Sequence, residues 1–266
     1  MDTRPDGRPS SPFHAMVSMQ AGRPLRRTAA RPSFIATVGK PTLAIVMGVQ
    51  VALDVVLFIM SVMGGRVIPM FTNNGVPGAG ARRDERVEKA ALGSVLALLV
   101  ADVLGLQGIA LAALALFAAV AHGTRWALWK PWKTRHVPIV WVLHIAYAWI
   151  PLHLALRAAA PMGWVANSAA THALTAGAIG GLIIGMMTLT ARGHTGRPLH
   201  ADGFDITCYT MVSLGAVLRV PLPLLMPQWT VLFVVASASL WSAAFGLYAV
   251  RYWPVLTRAR PDGKPG

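Results

Sequence analysis

The sequence predicts an all-α protein, a polytopic bundle of about seven membrane-spanning helices, and three observations predict it. Of the 266 residues, 55% are hydrophobic and only 13% charged, whereas soluble domains carry roughly a quarter charged residues. Apolar runs of about 20 residues, long enough to cross a bilayer as a helix, recur along the chain. The basic residues behind the net charge of +14 lie in tails and in loops between those runs. That pattern reads as a positive-inside bias rather than as a nucleic-acid footprint. The single cysteine, Cys208, excludes an intrachain disulfide framework and any Cys-cluster zinc or iron–sulfur site.

The elements follow in order. Residues 1–41 are rich in Arg, Pro and Ser, have no apolar core, and read as a disordered basic tail rather than a signal peptide. The transmembrane domain is expected over residues 42–253. Its first span runs from about Thr42 to Met63, and the second from about Lys89 to Leu106. Only Gln107 and Gly108 separate the second from the third, which runs from about Gly108 to Leu128, so these two form a tight hairpin. The fourth, about Val137 to Ala158, contains Pro151, which is expected to kink it. The fifth runs from about Ala169 to Ala191, the sixth from about Ile206 to Leu225, and the seventh from about Trp229 to Tyr252. Residues 254–266 read as a second disordered tail. The stretch Gly64 to Thr72, with two glycines, Arg66 and Pro69, reads as irregular backbone of the kind that lines cavities at membrane depth.

Loop charge gives an orientation. Arg66, Arg82, Arg83, Arg86 and Lys89 follow the first span. Arg125, Lys130, Lys133 and Arg135 follow the third, and Arg192 and Arg197 follow the fifth. Intervening loops carry only Arg157, so loops one, three and five and the C-terminus are expected in the cytoplasm. The N-terminal tail then lies outside although it carries Arg23, Arg26, Arg27, Arg31 and Lys40. That conflict resolves if the chain corresponds to the back part of a longer bundle.

Ionisable groups at membrane depth are functional candidates by default. His144 lies one turn into the fourth span beside Trp141 and Tyr147; the alternative is a histidine bonded to a backbone carbonyl. His172 opens the fifth span, turned away from the small-residue ridge Gly177, Gly181, Gly185 that lets another helix approach closely. Met186 and Met187 lie broadly on its side, and thioether with imidazole suits copper; the alternative is core filling. His153 cannot share a site with His144 and ranks lower, while His122, His136 and His200 are expected to face solvent. His194 sits in a glycine-flanked turn between Arg192 and Arg197, whose guanidiniums suit a propionate or phosphate; the alternative is an ordinary basic turn. Asp54 and Asp102 are read as relay groups or as structural counter-ions for Arg219.

The wording of several stretches resembles the NnrS family, membrane proteins associated with haem, copper and the bacterial response to nitric oxide. These are GGRVIPMFTNN (Gly64 to Asn74), WVLHIAYAWIP (Trp141 to Pro151), HALTAGAIGGLIIGMMT (His172 to Thr188), GHTGRPL (Gly193 to Leu199) and LGAVLRV (Leu214 to Val220). Five matches in the family's order and spacing are far more specific than any one of them. The resemblance is to the family's C-terminal portion, without the early spans and their His-x-His-Glu motif. It implies haem and copper as cofactors, His144, His172 and His194 as metal ligands, and Arg66 and Arg197 as cofactor contacts. It further implies the bacterial cytoplasmic (inner) membrane, nitrosative-stress physiology, and a partner that supplies the missing N-terminal spans. Two other readings stand beside it. One is a transporter or channel component using Asp54, Asp102 and Arg219 as a polar path. The other is a truncated, non-catalytic subunit. No soluble-enzyme motif is present, neither a phosphate loop nor GxSxG, HExxH or CxxC.

Overall fold

The computed structural model describes residues 32–261 and 263, with side chains from residue 47 onward. It divides into two units, Met1–Ile45 and Val46–Gly266; the first is helical from Pro32. Most of the expected N-terminal tail, with His14 and its arginines, lies outside the described residues.

Seven principal helices make up the fold, and no strand occurs among the described residues. They are α1 (Pro32–Gly75), α2 (Glu85–Val103), α3 (Ile109–Leu128), α4 (Pro138–Ala159), α5 (Asn167–His194), α6 (Gly203–Arg219) and α7 (Thr230–Thr257). All except α2 are long and apolar enough to cross a membrane, α6 when taken together with the short helix that continues it to Leu225. α2 matches the expected second span in place, but Glu85, Arg86, Glu88, Lys89 and Asp102 raise its polarity. Short helical turns follow α6 and precede α7. α7 ends at Thr257, past the expected boundary at 253.

Two expectations about local shape change. α1 does not end near Met63 or become irregular; it stays helical through Pro69 to Gly75. The reason is tertiary. Gly64 and Gly65 form a notch: a Cβ at Gly64 would lie 3.2 Å from the Tyr147 ring, and one at Gly65 only 1.7 Å from Arg125 Nη2. Packing of an entire helix face outweighs the local cost of glycine and proline. Beyond α1, Asn73 closes the next loop by exchanging two hydrogen bonds with the Ala81 backbone, at 2.8 and 2.9 Å. α4 contains Pro151 within its length, where it was expected, and is helical on both sides of it.

α4 is the most enclosed helix and α7 the most peripheral. The expected glycine ridge on α5 does pack against α4. Gly177 receives the Trp149 indole, Gly181 the Ala146 methyl group, and Gly185 the Leu143 and Val142 side chains. Where Trp149 presses in, α5 widens into a π-helical segment, Ala173–Ile179. Two fully buried tyrosines, Tyr147 and Tyr209, lie in the same core.

Candidate functional site

His144 is 2% exposed on α4. Its Nε2 lies 2.7 Å from Thr72 Oγ1 on α1, and the Thr72 hydroxyl donates to the Ile68 carbonyl at 2.8 Å. A hydroxyl has one proton, so Nε2–H must donate to Thr72 and the lone pair falls on Nδ1. Nδ1 is buried and has no hydrogen-bond partner. His144 also lines a cavity of about 460 Å³ with Trp126, Trp132, Trp141, Thr134 and Arg135. The backbone that shapes this cavity is special. Lys130 adopts a left-handed φ of 59°, the only non-glycine residue to do so among those described. The chain thereby turns sharply between α3 and α4, and the Lys130 ammonium sits over the Trp132 ring at 5.4 Å. Trp126 is fixed by donating its indole N–H to the His144 carbonyl at 3.0 Å.

His172 is not brought to this site. Gly181 packs against Ala146 and Gly185 against Leu143. His144 is therefore level with about residue 183 of α5, roughly 16 Å along the helix from His172 at 1.5 Å per residue. Instead, Arg219 Nη2 donates to His172 Nε2 at 2.9 Å, so Arg219 partners an imidazole and not the aspartates. Met186 and Met187 stand roughly 21 Å further along α5 than His172 by the same rise. Met186 lines a separate apolar cavity with Leu143, Met60 and Met63, and Met187 is exposed. His194 is exposed, and its carbonyl accepts a hydrogen bond from Arg260 at 2.8 Å. Arg66 is exposed on α1, while Arg197 is half-buried and donates to the Val255 carbonyl at 3.3 Å. Among the described residues no group of three or more His, Cys, Asp or Glu side chains could hold a metal ion. The donor set expected for copper is thus not assembled. One buried imidazole nitrogen beside an aromatic, Arg-bearing cavity does fit a haem, which needs an axial nitrogen, flat apolar walls and a cation for its propionates.

Two polar networks tie the helices together, one beside the site and one toward the other end of α4, and charge counting alone hid both. Arg125 is 1% exposed, although its position suggested a loop cation. It donates to both Glu88 oxygens, at 2.8 and 2.5 Å, and to the Ser61 carbonyl at 2.8 Å. Its Nη1 also donates to Tyr147 Oη at 3.1 Å. Tyr147 in turn donates to His122 Nδ1 (2.7 Å), and His122 Nε2 donates to the Ala91 carbonyl (3.1 Å). His122, expected to face solvent, is instead fully buried with both ring nitrogens engaged. A visible signal was the i, i+3 spacing of His122 and Arg125, which puts them on one helix face. The second network joins Arg157 to Asp54 at 2.7 Å and to Asp102. The two carboxylates are counter-ions, as one expectation held, but for Arg157. His153 is likewise buried: Nδ1 donates to the Ala170 carbonyl at 2.7 Å and Nε2 has no partner.

Comparison with known proteins agrees with the sequence resemblance. No curated protein and no solved structure matches the chain. The family model described as NnrS protein matches residues 16–260. That match covers nearly the whole chain, His144 and its cavity included, so the protein belongs to the NnrS family.

Proposed function

We propose that this membrane protein binds haem at His144 and acts in the cell's handling of nitric oxide. The single observation that carries the reading is the partnerless Nδ1 of His144 beside the Trp-lined cavity. A buried imidazole nitrogen with no hydrogen bond costs free energy unless something occupies it. Thr72 acts as the positioning partner: by accepting from Nε2 it sets the tautomer and keeps the Nδ1 lone pair free for a ligand. Trp126, Trp132 and Trp141 supply flat apolar walls, and Arg135 is the cation suited to a propionate. Held by His144 Nδ1, a haem would supply the iron chemistry that binds small diatomic molecules such as nitric oxide. Family membership supports the nitric oxide setting. The dispersed His172, Met186 and Met187 give copper no comparable support, and no step is assigned to it.

The test is the absorption spectrum of the purified protein reconstituted with haem. Wild type should show a Soret band that His144→Ala abolishes and Thr72→Val shifts. His172→Ala, whose lone pair Arg219 already occupies, should leave the band in place. A Soret band unchanged in His144→Ala refutes the assignment.

A further inference from the structure

A third cavity, of about 190 Å³, opens where α5, the loop before α6, and α7 meet. Four guanidiniums line it, those of Arg192, Arg197, Arg251 and Arg258, together with Tyr252. Only two carboxylates answer them. Asp205 is 1% exposed and accepts from Arg192 at 2.6 Å and from Tyr252 Oη at 2.9 Å. Asp202 accepts from Arg192 at 3.1 Å and Arg251 at 3.2 Å. Both aspartates are also tied into the capping box of α6, so neither can swing away to neutralise another cation. Arg197 donates only to backbone carbonyls. Neither Arg197 nor Arg258 forms an ion pair with a described residue. The cavity wall therefore carries an excess of two positive charges.

The surroundings identify the kind of anion. Val250 and Trp253, on either side of Arg251 and Tyr252 along α7, are 75% and 72% exposed. On a spanning helix such a surface meets lipid, and an exposed Trp near a helix end marks the headgroup boundary. At about 30 Å³ per water, the cavity has room for about six waters, which is enough for a phosphate with a small polyol. Arginine forks match phosphate oxygens in pairs, and basic pockets between spanning helices take lipid headgroups. We infer that this cavity binds the phosphodiester headgroup of an anionic phospholipid. The inference stands apart from the haem reading, because it uses a different cavity and different residues.

Lipid binding to the full chain in neutral detergent, followed by native mass spectrometry and by Tm, tests it. Phosphatidylglycerol should remain bound and raise Tm by a few degrees, while phosphatidylcholine should do neither. The double variant Arg197→Gln, Arg258→Gln should lose at least tenfold in phosphatidylglycerol affinity. Arg86→Gln, which removes an exposed charge in the first turn of α2, should keep it. Should the double variant fold poorly, Arg258→Gln alone, at an exposed position, gives the same comparison with a smaller loss. Equal binding of the two lipids, or full affinity in the arginine variants, overturns the inference. An equal Tm rise with inorganic phosphate overturns the lipid assignment and leaves a soluble-anion site.

Discussion

Gly181→Ala tests whether the α4–α5 seam is as tight as described. A Cβ at position 181 would stand 2.7 Å from Ala146 Cβ and 3.3 Å from Ala146 Cα. Neither atom can rotate out of the way, since both are fixed by the α4 backbone. Restoring ordinary van der Waals contact means moving the helices apart by about 0.7 Å. A gap of that order forfeits about a third of each dispersion contact. Over about fifty contacts of ~0.15 kcal/mol, the loss is about 2.5 kcal/mol. Alanine returns about 1 kcal/mol of helix propensity over glycine. The net expectation is a destabilisation of about 1.5 kcal/mol, within the usual range for overpacking. Gly123 and Gly246 provide the control, because they sit in α3 and α7 with no atom within 4 Å of a built Cβ. There alanine should stabilise by up to about 1 kcal/mol. Unfolding in mixed detergent–SDS micelles, followed by tryptophan fluorescence, measures all three variants. If Gly181→Ala is as stable as Gly123→Ala and Gly246→Ala, the seam is not close-packed and the reasoning fails.

Two further outcomes follow from the charged groups. Arg157→Leu leaves Asp54 and Asp102 without their counter-ion and should cost about 3–5 kcal/mol, the usual penalty for orphaning a buried charge. Asp54→Asn leaves one carboxylate for one guanidinium and should cost clearly less in the same unfolding assay; a reversed order would refute the pairing. Outside the spans, burial alone would raise the Asp202 carboxyl. The hydrogen bond with the Asp205 backbone and the Arg251 and Arg192 guanidiniums outweigh it and hold it below 3.8. A depressed carboxyl contributes stability above its unfolded value, and that contribution disappears as pH falls through the folded value. Wild type should therefore lose stability below about pH 4, and Asp202→Asn should show a shallower loss over that interval. Parallel Tm profiles for the two proteins would contradict the ion pairs of Asp202.

The helices themselves were legible in the residues, because a bilayer accepts only long apolar runs with internally satisfied backbones. The glycine ridge of α5 was legible too, since a repeat of four on a helix faces one neighbour whichever neighbour that is. The motif wording around His144 likewise led to the family. The partners of the charged residues were not legible. Arg125 and Arg157 look like loop cations when counted along the chain, yet one binds Glu88 and the other Asp54 and Asp102. His144 and His172 look like co-ligands, yet antiparallel packing of α4 and α5 sets them at different depths. The physical reason is a difference of range. Hydrophobicity and helical period act within one segment and can be read from it. Which imidazole keeps a free nitrogen and which guanidinium finds a carboxylate depends on the register and facing of helices distant in sequence, and only the tertiary structure decides that.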